Sequence, residues 1–289
     1  MDESCDGAGP VEQLIGINAG GVRWHCRRAG RGPVLVLLHG TGASAHSWAE
    51  LTTILARRFD VLAVDLPGHG QSSPGREQTA TLPGMAAAVA RLLRKLDVAP
   101  FALVGHSAGA AIAAQMTLDD SVRPVALVSV NGAFLPFGGP AGPLFAPLAR
   151  MLARSATVAR VLSRRATDGR AVERLMRSTG SRLDASGLQR YRRLLSSPDH
   201  VRATLRMMAN WDLRALNAML PSLAVPLLLV VGAADRTVPP WQADRVAAMC
   251  PAARVHSLDG LGHLAHEEAP MAVAGVIIDG LRRPAEPPC

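Results

Sequence analysis

Gly105-His106-Ser107-Ala108-Gly109 follows directly on the apolar run Phe101-Ala102-Leu103-Val104 and leads into the helix-like segment 108–118. The pattern is G-x-S-x-G between a strand and a helix. A serine on so tight a strand-to-helix turn sits in a strained backbone conformation, with its hydroxyl pushed out above the sheet. Gly105 and Gly109 let strand and helix approach closely enough for that turn. The five letters alone are a weak match, because a Ser between glycines also makes an ordinary helix N-cap. Their placement between strand and helix marks Ser107 as a nucleophile.

A serine hydroxyl is a poor nucleophile at neutral pH and needs a base within reach, itself oriented by a third group. On an elbow of this kind the partners follow in the order acid, then His. His263 is the best-placed base, in Asp259-Gly260-Leu261-Gly262-His263 after the strand-like run 253–258. His256 falls mid-strand and His266 falls in the next helical turn. Asp235 lies in the loop after the strand-like 226–232 and is the orienting carboxylate, although an Asp before Pro239-Pro240 can also cap a helix. On such a sheet the acid can also fall one strand earlier. That position here is Asn131, which has no charge to offer.

The oxyanion of an acyl transfer needs two backbone N–H groups. One is Ala108, the residue after the nucleophile and the first of its helix. The other is Thr41, in His39-Gly40-Thr41-Gly42 at the end of the buried strand 34–38, where Gly40 and Gly42 let the backbone approach a substrate. Read blandly, the same stretch is a Gly-rich connecting turn.

With these motifs in view, and with Asp65-Leu66-Pro67-Gly68-His69-Gly70-Gln71-Ser72 after the strand 61–64, the chain resembles the α/β-hydrolases. More narrowly it is similar to the magnesium-chelatase-associated α/β-hydrolases found with bacteriochlorophyll biosynthesis genes. The stretches that carry this narrower likeness are Thr179-Gly180-Ser181-Arg182-Leu183-Asp184 and Met208-Ala209-Asn210-Trp211-Asp212-Leu213, beside the elbow and Gly262-His263-Leu264-Ala265-His266-Glu267-Glu268. The resemblance implies an α/β fold with a mostly parallel sheet and a Ser-His-Asp triad. It also implies a link to magnesium insertion into porphyrin. It fixes fold and triad far better than substrate.

At 289 residues and 48% hydrophobic content, the chain suits one α/β core with an inserted subdomain. The runs 34–38, 125–130 and 227–231 read as parallel strands buried on both faces. Residues 1–132 and 221–289 are expected to form the core. Residues 133–220 carry helical patterns at 144–162, 170–179, 186–195 and 200–220, and are expected to form a helical cap over the strand ends, where ligands of open α/β sheets bind. Both tails, 1–10 and 283–289, are expected to be frayed. No apolar run reaches 18 residues, so no transmembrane helix is expected, and the acidic start lacks a signal-peptide core. The expectation is a cytoplasmic protein. Cys5, Cys26, Cys250 and Cys289 have neither metal nor disulfide spacing. No cofactor and no metal is implied.

Charge is concentrated in the insert. From 133 to 220 there are 15 Arg and 5 acidic residues, a net +10, whereas the whole chain is +8. Such an excess is either a solvated helical face or a surface for an anionic ligand, protein or lipid, such as a porphyrin or a magnesium-chelatase subunit. Nucleic acid is not expected: aromatic residues make up only 3%, too few to form stacking platforms along the arginine clusters. His39, Gly40, His106, Phe134, Met208 and Trp211 are candidate pocket residues, with Leu135, Phe137 and Met207 also near the expected roof and Met and Trp suited to an adaptable apolar wall. Two functions fit. One is a serine esterase acting on a small carboxylic ester through an acyl-enzyme. The other is an accessory or porphyrin-binding protein for magnesium chelatase that uses the fold as a scaffold. Dehalogenase and epoxide-hydrolase chemistry form their intermediate on an Asp, and this elbow carries Ser. A C–C bond hydrolase or perhydrolase would use the same triad.

Overall fold

The computed structural model describes residues 11–136 and 155–282. Phe137, the first part of the expected 144–162 helix, both expected frayed tails, Cys5 and Cys289 lie outside the described residues. Eight strands form one sheet: β1 (Gln13–Ala19), β2 (Val22–Ala29), β3 (Val34–Leu38), β4 (Asp60–Val64), β5 (Ala102–His106), β6 (Ala126–Val130), β7 (Leu227–Gly232) and β8 (Ala253–Leu258). Their order is β1-β2-β4-β3-β5-β6-β7-β8. The β1–β2 and β2–β4 pairings are antiparallel and the others parallel. The fold is thus the expected α/β one.

Strand side chains alternate between two cores with the period of two that a pleated sheet imposes. Val36, Leu38, Leu62, Val64 and Leu103 pack on α2 (Leu82–Lys95) and α3 (Ala108–Leu118). Leu35, Leu37, Val61, Ala63 and Val104 pack on the other face, against α1 (Ala49–Leu55) and the C-terminal helix 270–282. Helix α2 starts where its sequence says it should. Thr81 Oγ1 accepts from Gly84 N at 3.2 Å, Pro83 sits in the first turn, and Arg94 and Lys95 face the negative end of the helix dipole.

The described insert is helical: α4 (Ala156–Arg165), α5 (Gly169–Ser178), α6 (Ala185–Leu195), α7 (Pro198–Ala209) and α8 (Arg214–Met219). Ser155, Asp168, Asp184 and Ser197 cap the first four, each side chain accepting from a backbone N–H of the first turn. The single helix expected over 200–220 is two. It stops at Asn210, whose Nδ2 donates to Arg206 O, and the chain restarts where Asp212 accepts from Arg214 N. Side-chain bonds to local backbone compete with helix continuation at Asn and Asp. After β7 follow α9 (Trp241–Met249), α10 (Ala265–Glu268) and α11 (Pro270–Arg282). Helices α5 and α6 meet the core through Val172, Met176 and Tyr191, which pack on Ala43 and Leu264. The insert therefore rests on the loops that leave the carboxyl ends of β3 and β8.

Two glycines should respond oppositely to alanine. At Gly109 a Cβ would lie 2.0 Å from the Leu38 carbonyl oxygen, which cannot move without displacing β3. Gly109→Ala is expected to cost about 1–3 kcal/mol or more in denaturant unfolding. Gly275 is exposed in the middle of α11 with open space around it. Gly275→Ala is expected to stabilise by about 0.5–1 kcal/mol, and a destabilisation there would contradict the description of that helix.

Candidate functional site

Ser107 closes β5 and caps α3 at φ +50°, ψ −116°, a conformation that costs a non-glycine residue about 1–3 kcal/mol. Three backbone bonds hold it there. Its N–H donates to Val130 O at 3.1 Å, and its C=O accepts from Ala110 N and Ala133 N, each at 3.1 Å. A Cβ on Gly105 would lie 2.3 Å from Ala110 N, so the two expected glycines are sterically required. The Ser107 side chain is half-buried, and its hydroxyl makes no hydrogen bond among the described residues.

Asp235, in the loop after β7, is buried and accepts four hydrogen bonds. Thr237 N and Val238 N donate to Oδ1 at 2.7 and 2.9 Å. Asn131 Nδ2 and His263 Nδ1 both donate to Oδ2 at 2.8 Å. A carboxylate out of water requires such partners. The bond to Asp235 fixes the His263 tautomer with hydrogen on Nδ1 and leaves the Nε2 lone pair free to take a proton. Asn131, which ends β6 at φ +49°, was readable as a residue unable to be the acid. Its role as a donor to the acid one strand over appears only when the parallel strands are paired.

His106 and His39 do not line an open pocket. His106 is buried beneath His263, ring centroids 4.7 Å apart, and its Nε2–H donates to the His263 carbonyl at 2.9 Å. Burial, then the nearby His266 and His263 rings, push it well below the usual imidazole range. His39 is fully enclosed. Its Nε2 accepts from Leu66 N at 3.0 Å, and its Nδ1–H donates to Gly40 O at 2.8 Å. Gly40 C=O and Thr41 N–H belong to one planar trans peptide and point opposite ways. By holding the carbonyl, His39 aims the Thr41 N–H. Neither that N–H nor Ala108 N–H donates a hydrogen bond among the described residues. Gly40 faces the elbow, where a Cβ would lie 2.7 Å from His106 Nδ1 and 3.0 Å from Ser107 Cβ.

Helix α7 crosses this loop. His200 Nε2–H donates to Gly42 O at 3.0 Å, its Nδ1 accepts from Gly70 N at 3.2 Å, and Thr41 Oγ1 contacts Met207 Sδ at 3.7 Å. Of the two methionines expected near the roof, Met207 faces this loop, and Met208, the candidate pocket residue, is 62% exposed and turned away. Phe134 is buried and Trp211 half-buried in the same apolar cluster as Met207. His266 is buried against Trp48, ring centroids 4.4 Å apart, away from Asp235. Asp65 ties the adjoining loop by accepting from Ala45 N, Gln71 N and His25 Nδ1. A separate groove of about 800 Å³ runs between residues 67–80 and α7; Arg23, Arg76, Arg202 and Arg206 line it, and no residue of the Ser107–His263–Asp235 set does. Among the described residues no three His, Cys, Asp or Glu side chains converge as metal ligands, and no helix is long and apolar enough to cross a membrane. Cys26 is buried, which with Asp65 nearby pushes its thiol up to about 12 and leaves it unreactive.

The profile of the family described as alpha/beta hydrolase fold matches residues 33–270. A magnesium-chelatase 30 kDa subunit from Rhodobacter capsulatus is 41% identical over 250 residues, 86% of this chain and 87% of that protein. Among solved structures, a thermophilic esterase from Thermogutta terrifontis superposes with TM-score 0.74 at 24% identity, covering 95% of this chain and 98% of that one. A putative lipase from Acinetobacter baumannii AYE superposes with TM-score 0.76 at 18% identity, covering 94% and 91%. At these identities the structural likeness speaks for the fold alone.

The buried imidazoles set a pH dependence. Burial pushes His39 down to about 4 and His266 to about 3. The unfolded chain takes up their protons near pH 6.5, while the folded chain does not. The stability they confer is complete above about 6.5 and is lost as pH falls towards 4. Each costs about 2 kcal/mol by pH 5. Burial pushes the Glu267 carboxyl up to about 8, and its contribution runs the opposite way, gaining as pH falls from 8 towards 4.5. With His69, His106 and His200 also buried and lowered, the imidazoles outnumber it, so stability to denaturant is expected to fall between pH 7.5 and 5. In Glu267→Gln the fall is expected to be steeper, and a flat profile in that variant would count against neutral burial of the rings.

Proposed function

Since the chain belongs to the α/β-hydrolase superfamily and to the family of the magnesium-chelatase 30 kDa subunit, we propose that it is a serine hydrolase that cleaves a small carboxylic ester through an acyl-enzyme. The observation that carries this reading is the buried His263 Nδ1–Asp235 Oδ2 hydrogen bond, at the carboxyl end of the sheet where the turn after β5 holds Ser107 at φ +50°. In this reading His263 Nε2 takes the Ser107 proton as Oγ attacks the ester carbonyl. The N–H groups of Thr41 and Ala108 hold the oxyanion. Imidazolium His263 then protonates the departing alcohol, and neutral His263 activates the water that releases the acid. Residues 133–220 act as the cap, with Phe134, Met207 and Trp211 as the apolar wall nearest Thr41.

Ser107→Ala is expected to abolish hydrolysis of p-nitrophenyl acetate and labelling by a fluorophosphonate probe. Equal labelling of wild type and variant would reject the nucleophile. Asp235→Asn keeps the shape but removes the charge that stabilises the imidazolium. In protein that remains folded it is expected to lower kcat by orders of magnitude, about 10⁴-fold in the serine-protease precedent.

A second reading, an accessory that binds a porphyrin carboxylate for magnesium chelatase, is favoured by the arginine-lined groove and by the name of the 41% identical relative. Of the groove arginines, Arg202 is paired with Asp199 at 3.0 Å. The reading expects a porphyrin dicarboxylate to bind more tightly than its dimethyl ester. It also expects that preference to fade between 0.1 and 1 M salt, where the Debye length falls from about 10 to about 3 Å, and in Arg202→Gln/Arg206→Gln. Equal affinities for acid and ester at both salt concentrations would reject it.

A further inference from the structure

The insert reaches both loops of the proposed triad at one short stretch, 179–182, between α5 and α6. Thr179 C=O accepts from Arg236 N–H at 3.1 Å and from His263 N–H at 3.4 Å, so one carbonyl oxygen bridges the residue after Asp235 and His263 itself. Gly180, at φ +89°, lies against the same loops. A Cβ there would sit 2.1 Å from Ala234 O, and a Cβ on Gly262 would sit 2.4 Å from Gly180 C. The two glycines allow backbone to meet backbone. Ser181 is fully buried, and its Oγ accepts from Leu264 N at 2.8 Å. The Glu268 carboxylate completes the set, accepting from Arg182 N on one oxygen and from Gly262 N on the other, each at 2.8 Å. Thr179, Gly180 and Ser181 thus satisfy or engage backbone groups on both sides of His263 and just after Asp235, and Arg182 joins them through the Glu268 carboxylate. These amides are placed where no sheet or helix partner is available, so each needs such an acceptor.

We propose that the 179–182 segment, with Glu268, is a positioning element of the active site: it sets the His263 loop against the Asp235 loop, so the insert controls turnover as well as covering the site. The proposal rests on the serine-hydrolase reading for its kinetic consequence. It follows from where the bonds fall. Among the described residues, the sheet side holds this loop through His106 Nε2–H on the His263 carbonyl and through Ala234 N–H, of the Asp235 loop, on the Leu261 carbonyl at 2.8 Å. On the opposite side the acceptors for His263 N–H and Leu264 N–H are Thr179 and Ser181 of the insert, and Gly262 N–H is taken by Glu268, which also holds Arg182 N–H. Releasing Leu264 N or Gly262 N lets the imidazole shift relative to Ser107 while its own side-chain bond to Asp235 moves with it.

The test compares Ser181→Ala, Ser181→Thr and Glu268→Ala with wild type, using p-nitrophenyl acetate turnover, the rate of fluorophosphonate labelling at Ser107, and the unfolding midpoint. In variants that remain folded, Ser181→Ala and Glu268→Ala are expected to lower kcat and labelling rate together, on the order of 10²-fold for a displacement of about 1 Å, with KM little changed. Ser181→Thr, which keeps the hydroxyl, is expected to recover most of the rate. Unchanged kcat in a folded Ser181→Ala or Glu268→Ala variant overturns the proposal. A rise in KM at constant kcat also overturns it, because the segment would then be a substrate contact. Hydrogen exchange on the wild type decides the matter without any variant. The amides of Gly262, His263, Leu264 and Arg236 are expected to open together with those of 181–182 as one unit, and independent, fast exchange of these amides overturns it. A wild type that neither turns over nor labels at Ser107 would sink the hydrolase reading alone, and the exchange experiment would still decide the clamp.

Discussion

A carboxylate taken out of water must have its oxygens fully engaged, and most of this site is arranged around meeting that demand for Asp235. Its four donors come from three places in the chain: its own loop at Thr237 and Val238, the end of β6 at Asn131, and the loop after β8 at His263. Only one of the four is a titrating side chain. The other three hold the carboxylate still, so the direction of the bond to His263 is set before any substrate arrives. This is preorganisation in the sense that matters for charge developing on an imidazole. It explains why an Asn stands at the end of β6: there it supplies a donor instead of a second negative charge beside the first.

The elbow, the strands and their order of burial were legible because each rests on local rules. Gly105 and Gly109 are needed by the crossing of β5 and α3, and the apolar runs are long because both faces of the sheet are covered. The proposed nucleophile, acid and base, Ser107, Asp235 and His263, could be brought forward because such groups fall at the carboxyl ends of strands in a fixed chain order. Asn131, His39 and Ser181 were harder. Asn131 and His39 stood out as residues, but their partners lie on elements that are distant in sequence: β7 for Asn131 and the β4 loop for His39. Ser181 sat inside a stretch that carried the family likeness with no chemistry attached. Met208 failed where its neighbour Met207 did not, for a different reason. Adjacent residues on a helix point about 100° apart, and which one faces inward depends on a helix phase that composition does not reveal.

The histidines illustrate how misleading residue type can be when taken without its hydrogen bonds. Of those near the site, His39, His106 and His200 spend ring nitrogens on backbone groups, and His69 bonds the carbonyl of Pro67. They act as amide-like struts, able to donate on one side and in several cases to accept on the other, with a rigid planar spacer between. Neutral imidazole suits this task where a lysine or arginine would bring an unpaired charge into the interior. His263 differs because one of its nitrogens faces a carboxylate.

The insert leaves the sheet after β6 and returns at β7, two strands that pair directly, so its ends are already close together. Topologically it could be lengthened, shortened or exchanged at little cost in chain entropy. The contacts at 179–182 remove that freedom. A replacement insert would have to present a carbonyl, a glycine and a hydroxyl in the same sequence and at the same height, or leave the amides of the two neighbouring loops without acceptors. Modularity at the level of chain connection is thus cancelled at the level of hydrogen bonding. The part of this molecule most open to recombination by its position is bound by its contacts to vary together with the segment 260–268.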